Sequence, residues 1–286
     1  MSTHADRTRI HYDENTKRFM RLGHSFEGTI HRAVWGPGVK TRREALLYVE
    51  DLIAARVAGA SAPGAAPREI HIVDLGCGVC ASLGRIAERT QASGTGVTIS
   101  RMQVNLAQER IRAAGMDQRV RCVEADFCEL PESVAPADVV YAVEAFVHAS
   151  NPGRFFAACA RLVRPGGLLI VCDDIVSDAG LFADPRAARW LKRFRDGWLA
   201  ASLVDSRKFA ALAHESGFAH VEDLDLTGYL ELGRPRDLAI AALMRGIGWL
   251  PVRASYWAML RGGHALQVAL QRGYIRYLFS VWRRSA

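Results

Sequence analysis

The densest run of chemically useful residues is Val73-Asp74-Leu75-Gly76-Cys77-Gly78-Val79-Cys80-Ala81. It follows an apolar stretch and leads into a helical pattern. Glycines there let a ligand approach the backbone, and the helix N-terminus draws electron-rich groups. The run satisfies the G-x-G-x-x-A pattern of dinucleotide sites, and a purely structural tight turn is the competing reading. Two features argue against a nicotinamide or flavin. Asp74 stands directly before the first glycine, where a carboxylate repels a pyrophosphate but can accept from a cationic amino group through water. The next strand ends Gly96-Val97-Thr98-Ile99-Ser100, with no carboxylate for an adenosine ribose. Cys77 and Cys80 form a Cys-x-x-Cys, yet a metal or redox site needs a second pair or neighbouring histidines. The sequence sets neither beside them, so no metal site is expected.

A second run, Tyr141-Ala142-Val143-Glu144-Ala145-Phe146-Val147-His148-Ala149, closes another apolar stretch. Ligands of open α/β sheets bind outside the carboxyl ends of the strands. Glu144, His148 and Tyr141 are therefore the candidate proton-handling groups. The competing reading of Glu144 is a carboxylate that binds the cofactor or caps the next helix; His148, a lone histidine, reads equally as structural.

The elements that must position these residues follow from pattern. After a small-residue stretch at 58–67, short apolar runs alternate with helical spacing: strands at 70–75, 96–99, 120–124, 138–143, 168–173, 218–226 and 274–282, and helices at 82–91, 101–114, 155–163 and 209–216. Alternation of this kind predicts an α/β fold with a doubly wound, mostly parallel seven-stranded sheet. Pro165-Gly166-Gly167 reads as a turn. Residues 42–57 have helical apolar spacing, and 13–33 look helical with interruptions at Gly23 and Gly28. Residues 1–60 are thus an N-terminal helical lid, and 66–286 a core with helical insertions at 178–204 and 234–270.

Half of the 286 residues are hydrophobic and 23% are charged, which suits a packed core rather than disorder. The net charge of +7 divides as +3 over residues 1–60, −3 over 61–180 and +7 over 181–286. An acidic core with basic flanks suits a cationic ligand inside and an anionic substrate held by the flanks. No apolar run approaches the ~18 residues of a membrane span. No signal-like apolar stretch opens the chain, and the cysteines form no dense framework, so the expected setting is the cytoplasm. The cations are not gathered into one tract, which argues against nucleic acid as a partner.

Asp74-Leu75-Gly76-Cys77-Gly78 resembles the first motif of class I S-adenosylmethionine-dependent methyltransferases. Gly96-Val97-Thr98-Ile99-Ser100-x-x-Gln103 resembles the second-strand signature of the branch holding sterol, prenyl-diphosphate and cyclopropane-fatty-acid enzymes. Glu124-Ala125-Asp126-Phe127 is similar to the third-strand motif, and Arg164-Pro165-Gly166-Gly167 to the turn into the fifth strand. Cys80 departs from the pattern, standing where many members have a third glycine. In the flanks, His11-Tyr12-Asp13 with Phe19, Asn15-Thr16, Gly23, Ile30-His31, Trp35, and the segment from Gly262-Gly263 to Tyr277 look similar to bacterial terpenoid C-methyltransferases.

The resemblance implies a Rossmann-like methyltransferase that binds S-adenosylmethionine through Tyr12, Asp74, Gly76, Gly78, Thr98, Ile99, Gln103, Asp126 and Phe127. It implies methyl transfer to an alkene carbon of a prenyl diphosphate or other terpenoid in secondary metabolism. Such transfer makes a carbocation, which a carboxylate and aromatic faces stabilise and which must then lose a proton. Glu144 takes the role of base, with His148 and Tyr141 beside it. His31, Trp35, Phe146 and Trp190 are the expected substrate contacts. Arg32, Lys40, Arg42, Arg43 and the cations of 186–195 are expected to meet an anionic end, with Mg²⁺ where the substrate is a diphosphate. Competing readings are an O- or N-methyltransferase of a small natural product, and a cofactor-binding cyclase or non-catalytic binding protein. A homo-oligomer is compatible with all of these.

Overall fold

The computed structural model describes residues 3–21, 28, 31–60, 69–247 and 255–286. The elements in chain order are α1 (His4–Arg21), α2 (Arg42–Ala58), β1 (His71–Leu75), α3 (Ala81–Thr90), β2 (Ser93–Thr98), α4 (Arg101–Ala113), β3 (Val120–Glu124) and β4 (Ala137–Val143). They continue with α5 (Pro152–Leu162), β5 (Val163–Val176), α6 (Ala187–Trp198), α7 (Ser206–Glu215), β6 (Phe218–Asp225), α8 (Pro235–Ile247), α9 (Ser255–Gln271) and β7 (Ile275–Arg284). One seven-stranded sheet runs β3-β2-β1-β4-β5-β7-β6. Its strands are parallel except β7, which is antiparallel to both neighbours. The order reverses between β1 and β4, which is where such a sheet opens a crevice for ligands.

Strand alternation splits the core into two layers. Ile72, Val139, Tyr141, Ile170, Tyr277 and Phe279 face a layer shared with Ile53 of α2, Leu83 of α3 and Ile111 of α4. Val73, Val140, Ala142, Val171 and Trp282 face the opposite layer, with Phe155 and Phe156 of α5 and Phe209 of α7. Both faces are covered, as a mainly parallel sheet requires. Local signals start the helices. Thr41 and Glu44 form a reciprocal capping box at α2, and Asn151, Asp205 and Ser100 cap α5, α7 and α4.

The insertions form a separate apolar cap. Leu191 and Phe194 of α6 pack with Ala265, Ala269 and Leu270 of α9, and onto Val147 and Val176 of the core. The two helices touch at Gly197 and Gly262, where a Cβ on Gly197 would lie 2.6 Å from the Gly262 Cα. This explains the glycine pair read in the C-terminal flank. Among the described residues, no helix is long and apolar enough to cross a membrane.

Several boundaries differ from the sequence reading, three of them near the site or the sheet edge. The first helix begins at His4, ahead of the periodic pattern at 13–33, and Gly28 lies in a turn with φ +93°. Residues 164–167 fall within β5 instead of ending at a turn. They form an excursion, since Ala137 pairs with Val163 while Val139 pairs with Leu168. β2 begins three residues early, at Ser93. Residues 61–67 of the linker, Gly23 and Ile30, and the side chains of His11, Asn15 and Phe19 lie outside the described residues.

Candidate active site

A cavity of about 420 Å³ opens at the switch point, within the usual range for a cofactor or drug-sized ligand. Its cofactor-like end is made by backbone. The Gly76 and Cys77 N–H groups donate to Val97 O at 2.9 and 3.0 Å, folding the turn after β1 back onto β2. Gly76 has φ +91°, and a Cβ there would lie 2.5 Å from the Ala145 Cβ. Only glycine fits that position, and the cleared backbone is a cradle for a ligand. Asp74, Gly76, Gly78, Thr98, Ile99, Gln103, Asp126 and Phe127 all line this end. The Thr98 hydroxyl donates to Gln103 Oε1 at 2.6 Å, and both side chains are buried. Asp126 Oδ1 accepts from the Cys128 N–H at 2.8 Å, which fixes its carboxylate. Burial pushes the Asp74 carboxyl up to about 8, with the neighbouring Tyr141 hydroxyl acting the other way.

Helix α1 lies against this end. Gln103 Nε2 donates to Thr16 Oγ1 at 3.2 Å, Ser100 donates to Asp13, and His4 Nε2 lies 3.1 Å from the His148 carbonyl. Tyr12 lines the cavity and meets His148 edge-on, with ring centroids 5.7 Å apart. Burial, then the Asp173 and Glu144 carboxylates, push the Tyr12 phenol well up, so its hydroxyl keeps its proton.

Glu144 stands at the end of β4 in the left-handed backbone region, φ +50°. A side chain there costs about 1–2 kcal/mol, and such strain gathers at functional sites. The Arg32 N–H and the Tyr277 hydroxyl donate to Glu144 Oε1 at 2.8 and 2.9 Å, and Arg32 Nε lies at 3.3 Å. Burial alone would raise this carboxyl. The Arg32 guanidinium, His31 and the two hydrogen bonds outweigh it, so Glu144 lies below the ordinary range and is ionised at neutral pH.

Arg32 is itself clamped. It donates to both oxygens of the buried Asp174 at 2.8 and 2.7 Å and stacks over the Tyr277 ring, 4.4 Å from its centroid. Asp173 lines the cavity beside this pair, accepting from the Val147 and Asp174 N–H groups at 3.1 and 2.8 Å. Burial and the Asp174 charge push Asp173 up to about 8. Apolar residues of the cap, among them Phe194, Trp198, Leu230, Ile240, Met259 and Leu266, complete the far wall.

Several sequence expectations are corrected by this geometry. Phe146 is fully buried away from the cavity, in an aromatic cluster with Phe155, Phe156 and Phe209 at centroid distances of 5.0, 5.7 and 5.2 Å. Trp35 packs on Ala45 and Leu46 under α2. Trp190 packs against His264 and Arg193 on the cap. None of the three lines the cavity; Trp198 does so instead. Residue type alone does not orient a ring: Phe146 lies in the turn after β4, Trp35 in the loop before α2 and Trp190 on α6, and each packs away from the cavity. His31 lines the cavity, but its Nε2 lies 3.3 Å from the buried Glu50, which also binds Ser82 and Arg85. Arg32, expected to meet an anionic substrate, turns to Asp174 and Glu144. The α6 cations also find other partners: Lys192 pairs with Asp196, and Arg195 donates to Leu203 O. Asp173, Asp174 and Glu50 escaped the sequence reading. The adjacent acids inside an apolar strand, Cys172-Asp173-Asp174-Ile175, were the available signal.

A ligand-sized cavity at the switch point of such a sheet, floored by a glycine turn, defines a cofactor-binding α/β protein. A methyltransferase-domain family model matches residues 72–167. The chain is 31% identical over 202 residues, 70% of each chain, to 27-O-demethylrifamycin SV methyltransferase of Amycolatopsis mediterranei strain S699. It is 30% identical over 156 residues to 24-methylenesterol C-methyltransferase 2 of Oryza sativa subsp. japonica, covering 54% of this chain and 43% of that one. The solved cyclopropane synthase MmaA2 of Mycobacterium tuberculosis shares the fold, with a TM-score of 0.76 at 19% identity over 99% of both chains. The chain therefore belongs to the class I S-adenosylmethionine-dependent methyltransferases. It spans about three fifths or less of the length of several curated relatives that it matches.

Proposed function

We propose that this chain methylates an alkene carbon of a terpenoid through a carbocation, with Glu144 stabilising the cation and taking the proton it must lose. The observation that carries the reading is Glu144: ionised, strained into the left-handed region, and aimed into a cavity with an apolar far wall. S-adenosylmethionine, when bound, supplies an electrophilic methyl group. Asp74, Gly76, Gly78, Thr98, Ile99, Gln103, Asp126 and Phe127 hold it, and Tyr12 on the α1 lid covers its reactive end. The open backbone at Gly76 and the fixed Asp126 carboxylate fit that group.

A carbocation is so strong an acid that a carboxylate of depressed pKa is base enough for it. Removing an alcohol proton needs a base nearer the working pH. Arg32 and Tyr277 position Glu144 and keep it charged before substrate arrives, which is the preorganisation that favours a developing positive charge. Phe194, Trp198, Leu230 and Met259 exclude water, which would quench the cation.

At least three of the four guanidiniums that line the cavity are paired with carboxylates, which favours an uncharged terpenoid over a diphosphate. Arg32 faces Asp174, Arg42 faces Glu231, and Arg234 faces Asp237 and Glu231. Mg²⁺ with a diphosphate would be held by one or two carboxylates and the substrate phosphates, and no step is assigned to that ion.

A second reading, O-methylation of a hydroxylated natural product, is favoured by His148, a cavity-lining imidazole held edge-on to Tyr12. Supplying trideuteromethyl-labelled S-adenosylmethionine with panels of uncharged terpenes, allylic diphosphates, alcohols and phenols, followed by mass spectrometry, separates the two. The proposal expects the label on carbon with one substrate hydrogen lost. Label on oxygen or nitrogen alone would overturn it.

A further inference from the structure

Cys77 and Cys80 sit on the turn after β1, and the fold brings a third thiol to them. Cys122 of β3 lies across β2, and the three sulfurs all lie within 4.8 Å of one another. Cys77 Sγ and Cys122 Sγ are 3.7 Å apart. Zinc with Zn–S bonds of ~2.3 Å in a tetrahedral arrangement sets sulfurs about 3.8 Å apart.

Two further features keep these thiols together. Gly96 of β2 pairs with Cys122, and a Cβ on Gly96 would lie 2.6 Å from Cys80 Sγ and 2.7 Å from Cys77 Sγ. Only a hydrogen at that position leaves room for the sulfurs. Cys80 has φ +57° and ψ +23°, in the left-handed region, and its side chain does not cap α3. An L-residue there costs about 1–2 kcal/mol. A glycine would remove that strain, so the strained backbone is accounted for by the thiol it carries. The other three cysteines, Cys128, Cys159 and Cys172, are free and lie outside the cluster.

We propose that Cys77, Cys80 and Cys122 form a three-thiolate site for a soft metal ion of the Zn²⁺ class. Thiolates select such ions over Mg²⁺ and Ca²⁺. Loading breaks three S–H bonds, releases three protons to solvent and forms three metal–sulfur bonds, with no change in oxidation state. The fourth tetrahedral position takes a water, from the side where Cys122 is half-exposed. The ion would cross-link the glycine-rich turn to β3 on either side of β2. Cys77 and its neighbours Gly76 and Gly78 line the cavity, so the cross-link would also stiffen the backbone that receives the cofactor.

The test uses the full chain, purified and kept reduced under argon. With Zn²⁺ in modest excess, native mass spectrometry is expected to show one ion per chain, and alkylation of Cys122, the half-exposed thiol of the three, to be suppressed. Substituting Co²⁺ should give thiolate-to-cobalt charge-transfer absorption in the near ultraviolet. Cys122→Ser, with an unchanged far-ultraviolet dichroism spectrum, should lose that absorption, while Cys128→Ser keeps it. Should Cys122→Ser fold poorly, mass mapping of the alkylated peptides in the unmodified chain decides the matter. Labelling of the Cys122 peptide that is lost on adding Zn²⁺ supports the site. No stable ion, equal labelling of Cys122 with and without Zn²⁺, or absorption that persists in folded Cys122→Ser would overturn it.

Discussion

The two ends of the cavity are built in different ways. The cofactor end is a short stretch of backbone: Gly76 and Cys77 folded onto Val97, with Thr98, Gln103 and Asp126 following on the next two strands. The reacting end is an assembly of side chains from distant parts of the chain. Arg32 precedes α2, Glu144 ends β4, Asp174 is on β5, and Tyr277 is on β7. The first end depends on where the backbone is free of side chains. The second depends on a buried charge network in which each partner fixes the next. A substitution at the first end should change how tightly the cofactor is held. One at the second should change the rate while leaving the cofactor in place.

The sharpest way to break this comparison is Glu144→Gln, which keeps shape and removes charge and proton acceptor. Turnover should fall ~100-fold to ~10,000-fold, the usual loss for a positioned base, while S-adenosylmethionine affinity by calorimetry stays within a few-fold of normal. A collapse in affinity with turnover preserved at saturation would move Glu144 to the cofactor end.

Tyr277→Phe removes one donor to Glu144. Hydrogen bonds to charged groups contribute about 1.5–3 kcal/mol, so a rate loss of roughly tenfold or more is expected. The pH profile of the rate should also move its acidic limb upward, because Glu144 loses a bond that lowers its pKa. A purely structural role would leave that limb in place.

At the other end, Asp126→Ala should weaken the cofactor by roughly 1 kcal/mol, a factor of about five, with saturated turnover unchanged. An equal fall in saturated turnover would blur the division between the two ends.

A separate effect falls on stability rather than on binding or rate. Burial raises Asp74 and Asp173 to about 8 in the folded chain, against about 4 for an exposed aspartate. Between those values the folded chain holds protons that the unfolded chain has released. Their contribution is therefore fully present below about pH 4 and is lost as pH rises through about 8. Urea midpoints should fall from pH 6 to pH 9, and Asp173→Asn should flatten that decline.

The same contrast governs what was legible in the sequence. The glycine turn, the strand alternation and the residues of the cofactor end are local patterns, and each stands on the cavity where the sequence reading put it. The mostly parallel seven-stranded sheet followed from alternating strands and helices, whereas its strand order and the antiparallel β7 did not. The reacting end was legible only at Glu144, His148 and Tyr141, because they close one strand. Its partners are 112 to 142 positions apart in sequence, and no local spacing links them. Arg32 read as a cation for an anionic substrate because its buried carboxylate partner was invisible. Phe146, Trp35 and Trp190 were placed at the site by residue type, but type does not say which layer a ring faces. The third cysteine of the thiol cluster was hidden for the same reason, being 45 positions from Cys77 and two strands over.

The central claim is that Glu144 stabilises positive charge on the substrate. The most direct measurement compares a tertiary-ammonium mimic of the terpenoid cation with its uncharged carbon isostere. Each is titrated into protein saturated with S-adenosylhomocysteine. Mimics of a transition state bind ~100-fold or more tighter than ground-state ligands, so the ammonium compound should show at least that preference in the unmodified chain. The preference should vanish in Glu144→Gln. Equal binding of the two compounds, or a preference that survives in Glu144→Gln, would contradict the account.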